Sequence, residues 1–100
     1  MRGKDRAALR AEAHHLRPTV HVGHHGITET VLQSLDEALA ARELVKVQVE
    51  RNAPLPVRQA AAELAGQVGA EVIQVIGRRT TLYRHNPEIE RAAGAPPPWR

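Results

Sequence analysis

Between Glu43 and Glu50 the chain reads ELVKVQVE, and Val45, Val47 and Val49 alternate with Lys46, Gln48 and Glu50. A period of two marks a strand with one face buried. TVHV at 19–22 repeats the pattern in a shorter form, and AEVIQVI and TTLYR supply two further apolar runs. GRR joins that last pair, and so short a link predicts an antiparallel hairpin. Between these runs the period becomes helical. Leu9, Ala13 and Leu16 predict a helix over residues 4 to about 16, which Pro18 stops because the residue before proline is driven out of helical space. Val31, Leu32, Leu35, Ala38 and Leu39 predict a second helix over about 28–41, with Thr28 as N-cap, Glu29 at its positive end and Ile27 stapled onto Leu32. Val57, Ala60, Ala61, Leu64, Ala65 and Val68 line a third, with Pro56 in its first turn and Gly69 closing its end.

The order α-β-α-β-α-β-β contains two β-α-β units, so the first three strands should run parallel through right-handed crossovers, with the fourth returning antiparallel. The expected fold is an α/β two-layer sandwich on a four-stranded mixed sheet. Residues 1–86 form the expected domain. From 87 to 100, PEIERAAGAPPPWR loses periodicity and gains prolines, which predicts a tail in which Trp99 is either adhesive or idle.

Composition narrows this picture. One hundred residues, 42% of them hydrophobic, suffice for one core, since a chain of this size buries little more than ~60% of its unfolded surface. Phe is absent, so Leu, Val, Ile and Ala must fill that core. The absence of cysteine removes disulfides, thiolate nucleophiles and Cys-based zinc sites. No apolar run has a membrane-spanning or signal-peptide length, and a cytoplasmic monomer is expected.

The net charge of +3 is segregated. Arg2, Lys4, Arg6, Arg10 and Arg17 face only Asp5 and Glu12 in the first 26 residues, residues 27–50 are net acidic, and the second half is basic again. On the first helix Arg6, Arg10, His14 and Arg17 fall within roughly 80° of arc, beside the apolar stripe. A segregated basic surface points to a polyanion, although a solvated helix face has the same look. If the first three strands are parallel, their C-terminal ends share one sheet edge. That edge would gather residues 23–26, Arg51, Arg78 and Arg79, with the N-terminal arginines of the first helix alongside.

The turn on that edge has its own chemistry. VGHHGIT places Gly23 and Gly26 between a strand and a helix start, where glycine permits close backbone approach and open helical amides attract negative charge. No lysine and hydroxyl follow the second glycine as a nucleotide P-loop requires. Taken together, HLRP at 15–18, GHHGITE at 23–29, ELVKVQV at 43–49 and VIGRRTTLYR at 75–84 closely resemble the CRM domain (chloroplast RNA splicing and ribosome maturation), in its stand-alone bacterial, YhbY-like form. The resemblance covers about residues 5–85. It implies a sheet of order 1-2-4-3, similar to the C-terminal domain of translation initiation factor three, and RNA binding, with precursors of the large ribosomal subunit as partner. It also implies an RNA-backbone contact at Gly23, His24, His25 and Gly26, and this chain departs from the family by placing histidine at both central positions. The expected contact set is completed by Thr28, Arg6, Arg10, His14, Arg17, Arg51, Arg78 and Arg79. No base-stacking platform is expected where Tyr83 is the one aromatic inside the domain.

Two other chemistries are weaker. His14, His15, His21, His24 and His25 could offer nitrogen ligands, yet none of the usual zinc-binding spacings occurs, so no metal or other cofactor is expected. Ser34 is the single serine, and Glu29, Asp36 and Glu37 spread over a helix face without a pocket, which argues against an enzyme and against a small-molecule substrate. A scaffold that meets protein through the acidic face of the second helix stays open as the alternative.

Overall fold

The alternation at 43–50 forms the centre of the sheet. A computed structural model describes residues 3–91 and 93–100. Along the chain run α1 (Gly3–Ala13), β1 (Pro18–Val22), α2 (Glu29–Arg42), β2 (Leu44–Val49), α3 (Val57–Val68), β3 (Glu71–Ile76) and β4 (Arg79–Tyr83). The four strands form one sheet in the order β1-β2-β4-β3. β1 lies parallel to β2, while β4 is antiparallel to both β2 and β3, so the first three strands share one direction. None of the described helices is long and apolar enough to cross a membrane.

Strand alternation divides the sheet into two unlike faces. Val45, Val47 and Val49 join Val20, Val22 and Leu82 on one face, where Leu35 and Leu39 of α2 and Ala60, Leu64 and Ala65 of α3 close over them. Ile27 and Leu32, the expected staple pair, both pack against this cluster. On the other face Leu44 and Ile73 meet Leu9 of α1, with Leu16, Tyr83 and Trp99 at the margin. Leu9 and Ala13 are buried, so α1 covers the part of this face nearest the start of β2. Trp99 sets its ring edge-on to Tyr83, with centroids 6.3 Å apart, and therefore extends the second cluster.

Element ends follow local chemistry, with two adjustments to the expected boundaries. Regular α-helix stops at Ala13, and the amides of His14, His15 and Leu16 reach back three residues instead of four, to the carbonyls of Ala11, Glu12 and Ala13. Such tightening is common in a last turn. Pro56 is the N-cap of α3, with φ −64° and ψ 154°, one position earlier than a first-turn role. Gly69 ends that helix in the left-handed region at φ 68°. α2 closes on a residue that sequence patterning passes over. Glu43 adopts φ 65° and is fully buried, and Asn86 donates its amide to Glu43 Oε2 at 2.6 Å. Arg91 and His85 converge on the same oxygen. This buried carboxylate ties the chain beyond β4 to the end of α2. Residues 84–91 and 93–100 hold no helix or strand.

Candidate nucleic-acid interface

The turn after β1 is pinned from within. Gly26 donates its amide to the carbonyl of Gly23 at 2.9 Å and adopts φ 72°, a conformation that side chains with a Cβ rarely take. A Cβ on Gly26 would also sit 3.1 Å from Cγ of Pro54, so the turn is packed against the loop that follows β2. Gly23 faces open space. Between the glycines His24 and His25 are exposed, with ring centroids 3.9 Å apart. The N–H of Gly26 closes the turn and is therefore not among the amides open to a ligand.

Thr28 organises the helix start. Its Oγ1 accepts from the amide of Val31 at 3.2 Å, and its carbonyl accepts from Leu32. The hydroxyl therefore acts first as a cap that orients the amides around it. The amides of His24, His25, Glu29 and Thr30 donate to no acceptor among the described residues. An anion at this corner would meet those N–H groups and the positive end of α2 together. Glu29, exposed in the first helical turn, already places one carboxylate in that field.

Strand direction brings two loops to the same end of the sheet. The amide of Glu50 bonds the carbonyl of Val22, and the amide of Val49 bonds the carbonyl of Arg78, each at 2.8 Å. Arg51 and Arg78 consequently line one groove of about 660 Å³, together with Pro54 and Gly77. Both are exposed, and neither meets a carboxylate among the described residues. Arg79 follows on the open sheet face, where its Nε donates to Gln48 Oε1 at 3.1 Å. Gly23 to Gly26, Thr28, Arg51, Arg78 and Arg79 thus gather at one end, as the topology predicts. At the same end His21 Nδ1 lies 3.2 Å from Glu50 Oε1, an exposed contact that becomes an ion pair when the imidazole is protonated.

The N-terminal arginines do not all join them. Arg6 donates to the carbonyl of Val72 at 2.9 Å and to Glu71 Oε2 at 3.0 Å, which fixes it at the start of β3, the opposite end of the sheet. Arg17 immediately precedes β1 and lines a separate cavity with Arg42, Thr19 and Trp99. β1 spans the five residues between them, so Arg17 and Gly23 stand roughly 20 Å apart at ~3.3 Å per residue. The cause is that α1 lies on the face opposite α2 and α3, with its first turn clasped to β3 instead of returning over the glycine turn. Arg10 is exposed in the last turn of α1. His14, at the far end of that helix, reaches a cavity on the sheet face that also contains Lys46 and Arg79.

Lys46 is the cation that sequence patterning missed. It occupies a polar position in an alternating strand, which by itself reads as an ordinary solvated site. Burial, and then the charge of Arg79, push its amine below the usual lysine range. The acidic face of α2 is partly consumed inside the molecule, since Asp36 Oδ1 accepts from Arg84 at 2.7 Å. No group of three or more His, Cys, Asp or Glu side chains able to hold a metal occurs among the described residues.

The chain is similar to known proteins over most of its length. Residues 1–84 match the family model of the CRS1 / YhbY (CRM) domain. The chain is 36% identical over 86 residues to the probable RNA-binding protein YqeI of Bacillus subtilis, covering 86% of this chain and 90% of that one. It is equally 36% identical over 88 residues to an RNA-binding protein of Haemophilus influenzae, covering 87% and 88%. The solution structure of a hypothetical protein from Staphylococcus aureus superposes with a TM-score of 0.76 at 33% identity, over 90% of this chain and 94% of the other.

Proposed function

The chain belongs to the CRS1 / YhbY (CRM) domain family, and from that premise we propose that it binds structured RNA by its sugar-phosphate backbone at the end of the sheet where β1, β2 and β3 finish. The observation that carries this reading is the meeting of open amides with uncompensated guanidinium groups. The N–H groups of His24, His25, Glu29 and Thr30 lie at the same end as Arg51, Arg78 and Arg79. Amides and the helix end would hold one phosphate while the arginines neutralise its neighbours. Phosphate contacts give register and affinity and carry little sequence information, so discrimination between RNA sequences should be shallow.

The resemblance to stand-alone bacterial members motivates an RNA of the large ribosomal subunit as the proposed target and assistance to that subunit's assembly as the proposed role, and the proposal takes the protein to act without catalysis, as a monomer in the cytoplasm. Binding of a large-subunit ribosomal RNA fragment, followed by fluorescence anisotropy across a potassium chloride series, tests the contact. For roughly four to six neutralised phosphates, log affinity should fall against log salt with a slope of about −3 to −5. A flat response would overturn backbone recognition. Crosslinking in cells tests the target, for which enrichment of large-subunit ribosomal RNA is expected; enrichment of group II intron RNA would move the role to splicing.

A further inference from the structure

We propose that the uncovered half of the sheet face opposite α2 and α3 seats one nucleotide of the bound RNA, its phosphate held by Lys46, Arg79 and His14 and its sugar or base resting on Ile76. This rests on the RNA reading above and adds to it a second contact surface, separate from the glycine turn.

Register builds the seat. Across β2 and β4, Lys46 pairs with Thr81 and Gln48 with Arg79. Across β3 and β4, Gln74 pairs with Thr81 and Ile76 with Arg79. Paired residues point to the same face, so Lys46, Thr81 and Gln74 form one row and Gln48, Arg79 and Ile76 the next. α1 stops short of both rows, because its buried contacts are to Leu44 and Ile73. What remains is a cavity of about 250 Å³ lined by His14, Lys46, Gln74, Ile76, Arg79 and Thr81. That volume is below the roughly 300–1,000 Å³ of small-molecule sites, which suits a phosphate-sugar unit better than a whole cofactor.

Its chemistry is one-sided. Lys46 and Arg79 bring two positive charges into one partly sheltered hollow, and no carboxylate lines it. Like charges held this way repel, and an anion between them converts the repulsion into attraction. Burial first, and then the charge of Arg79, lower the amine of Lys46 in the free protein, and an anion seated there would relieve the second of these. The bond from Arg79 Nε to Gln48 fixes the guanidinium plane and leaves its terminal nitrogens for the ligand. Beside them Ile76 is 56% exposed, the one exposed large hydrophobic side chain among the described residues. An apolar surface next to paired cations, with the Gln74 amide in reach, matches a nucleotide better than a free inorganic anion.

Continuity favours a polymer. Arg78 and Arg79 are neighbours in the β3–β4 hairpin, yet Arg78 lines the groove at the glycine turn and Arg79 the hollow on the sheet face. One RNA strand crossing the hairpin would engage both.

The test is the salt dependence of binding to one large-subunit ribosomal RNA fragment, with the full chain and its Lys46→Gln, Ile76→Ser and Arg58→Gln variants, each checked for folding by circular dichroism. Arg58 is exposed on α3 and lines neither site. Lys46→Gln should reduce the salt slope by about 0.7–0.9 and weaken binding about sixfold at 0.1 M salt. Ile76→Ser should weaken binding with the slope unchanged, and Arg58→Gln should match the wild type. If Lys46→Gln and Ile76→Ser both bind like the wild type while an Arg51→Ala, Arg78→Ala double variant is weakened, the nucleotide seat is refuted and the RNA reading stands. If the wild-type chain does not bind at all, the RNA reading itself fails and the seat with it.

Discussion

Arginines at the two ends of this sheet serve opposite purposes. At the start of β3 and along the C-terminal segment they are neutralised within the molecule: Arg6 by Glu71, Arg84 by Asp36, Arg91 by Glu43 and Arg100 by Glu12. At the glycine-turn end Arg51, Arg78 and Arg79 meet no carboxylate among the described residues, although Glu50 stands close by and pairs with His21. A paired guanidinium is part of the scaffold, because its hydrogen bonds are already made. An unpaired one beside open amides keeps its full attraction for an external anion. Counting arginines along the chain cannot separate these two populations; the carboxylate each one meets marks the scaffold set, and a place beside the open amides sets Arg51, Arg78 and Arg79 apart from Arg17, Arg42 and Arg58, which also meet none among the described residues.

The difference is broken most directly by removing the unpaired arginines at the glycine-turn end. Arg51→Ala, Arg78→Ala and Arg79→Ala together should weaken RNA binding about a hundredfold at 0.1 M salt and lower the salt slope by about 2 to 3, with thermal stability nearly unchanged. Arg6→Ala should do the converse, costing about 0.5–1 kcal/mol of stability with RNA affinity retained, because its partly exposed ion pair belongs to the scaffold. Equal effects of the two substitutions on affinity would erase the distinction.

Glu43 sharpens the scaffold side. Burial opposes its ionisation, and hydrogen bonds from Arg91 and the Asn86 amide outweigh burial, holding the carboxyl below its ordinary value of 4.5. A carboxyl depressed in the folded state contributes stability that is complete above the unfolded value and is lost as pH falls through the folded value. Acid titration of the wild type should therefore show a loss of stability below about pH 4.5 that is smaller in Glu43→Ala. That variant should also be about 2 kcal/mol less stable at neutral pH, by denaturant unfolding. Because Glu43 stands at φ 65°, Glu43→Gly, which relieves the backbone, should recover part of the loss.

The legible and illegible parts of the molecule divide along the same line. Val45, Val47 and Val49 announced the central strand, Thr28 and Gly69 announced a helix start and a helix end, and the two crossovers implied one shared edge for residues 23–26, 51 and 78–79. All of these are local periodicities or rules of chain connection. What escaped depends on contacts between distant segments. Glu43 lies between a helix and a strand and looks solvated until Asn86 and Arg91 fold back on it. Arg6 shared a helical arc with Arg10 and His14, but the clasp to Glu71 that draws it away comes from 65 residues along the chain. Lys46 obeyed the alternation of a half-exposed strand, and only the placement of α1 reveals how much of that face stays open. Trp99, in a stretch that reads as a tail, finds Tyr83 through the same route.

The histidine pair offers a smaller lever at the glycine-turn end. Histidine gains charge as pH falls through the neutral range, so RNA binding should tighten severalfold between pH 7.5 and 6 if His24 and His25 touch phosphate. His24→Ala with His25→Ala should flatten that profile. Should the profile persist in the double variant, its source lies elsewhere, with His14 on the sheet face or with His21 beside Glu50.

The finest test concerns Glu29, which opens α2 with an exposed carboxylate next to the amides assigned to phosphate. In the free protein a negative charge there favours the positive end of the helix, by about 0.3–1 kcal/mol. In the complex the same charge repels the incoming backbone. Glu29→Gln should therefore move two observables in opposite directions: stability falls by about 0.5 kcal/mol, and RNA affinity rises about twofold at low salt, a gain that disappears as the Debye length shrinks. If stability and affinity fall together, the phosphate does not sit at the start of α2, and the arginines alone would have to account for binding at this end of the sheet.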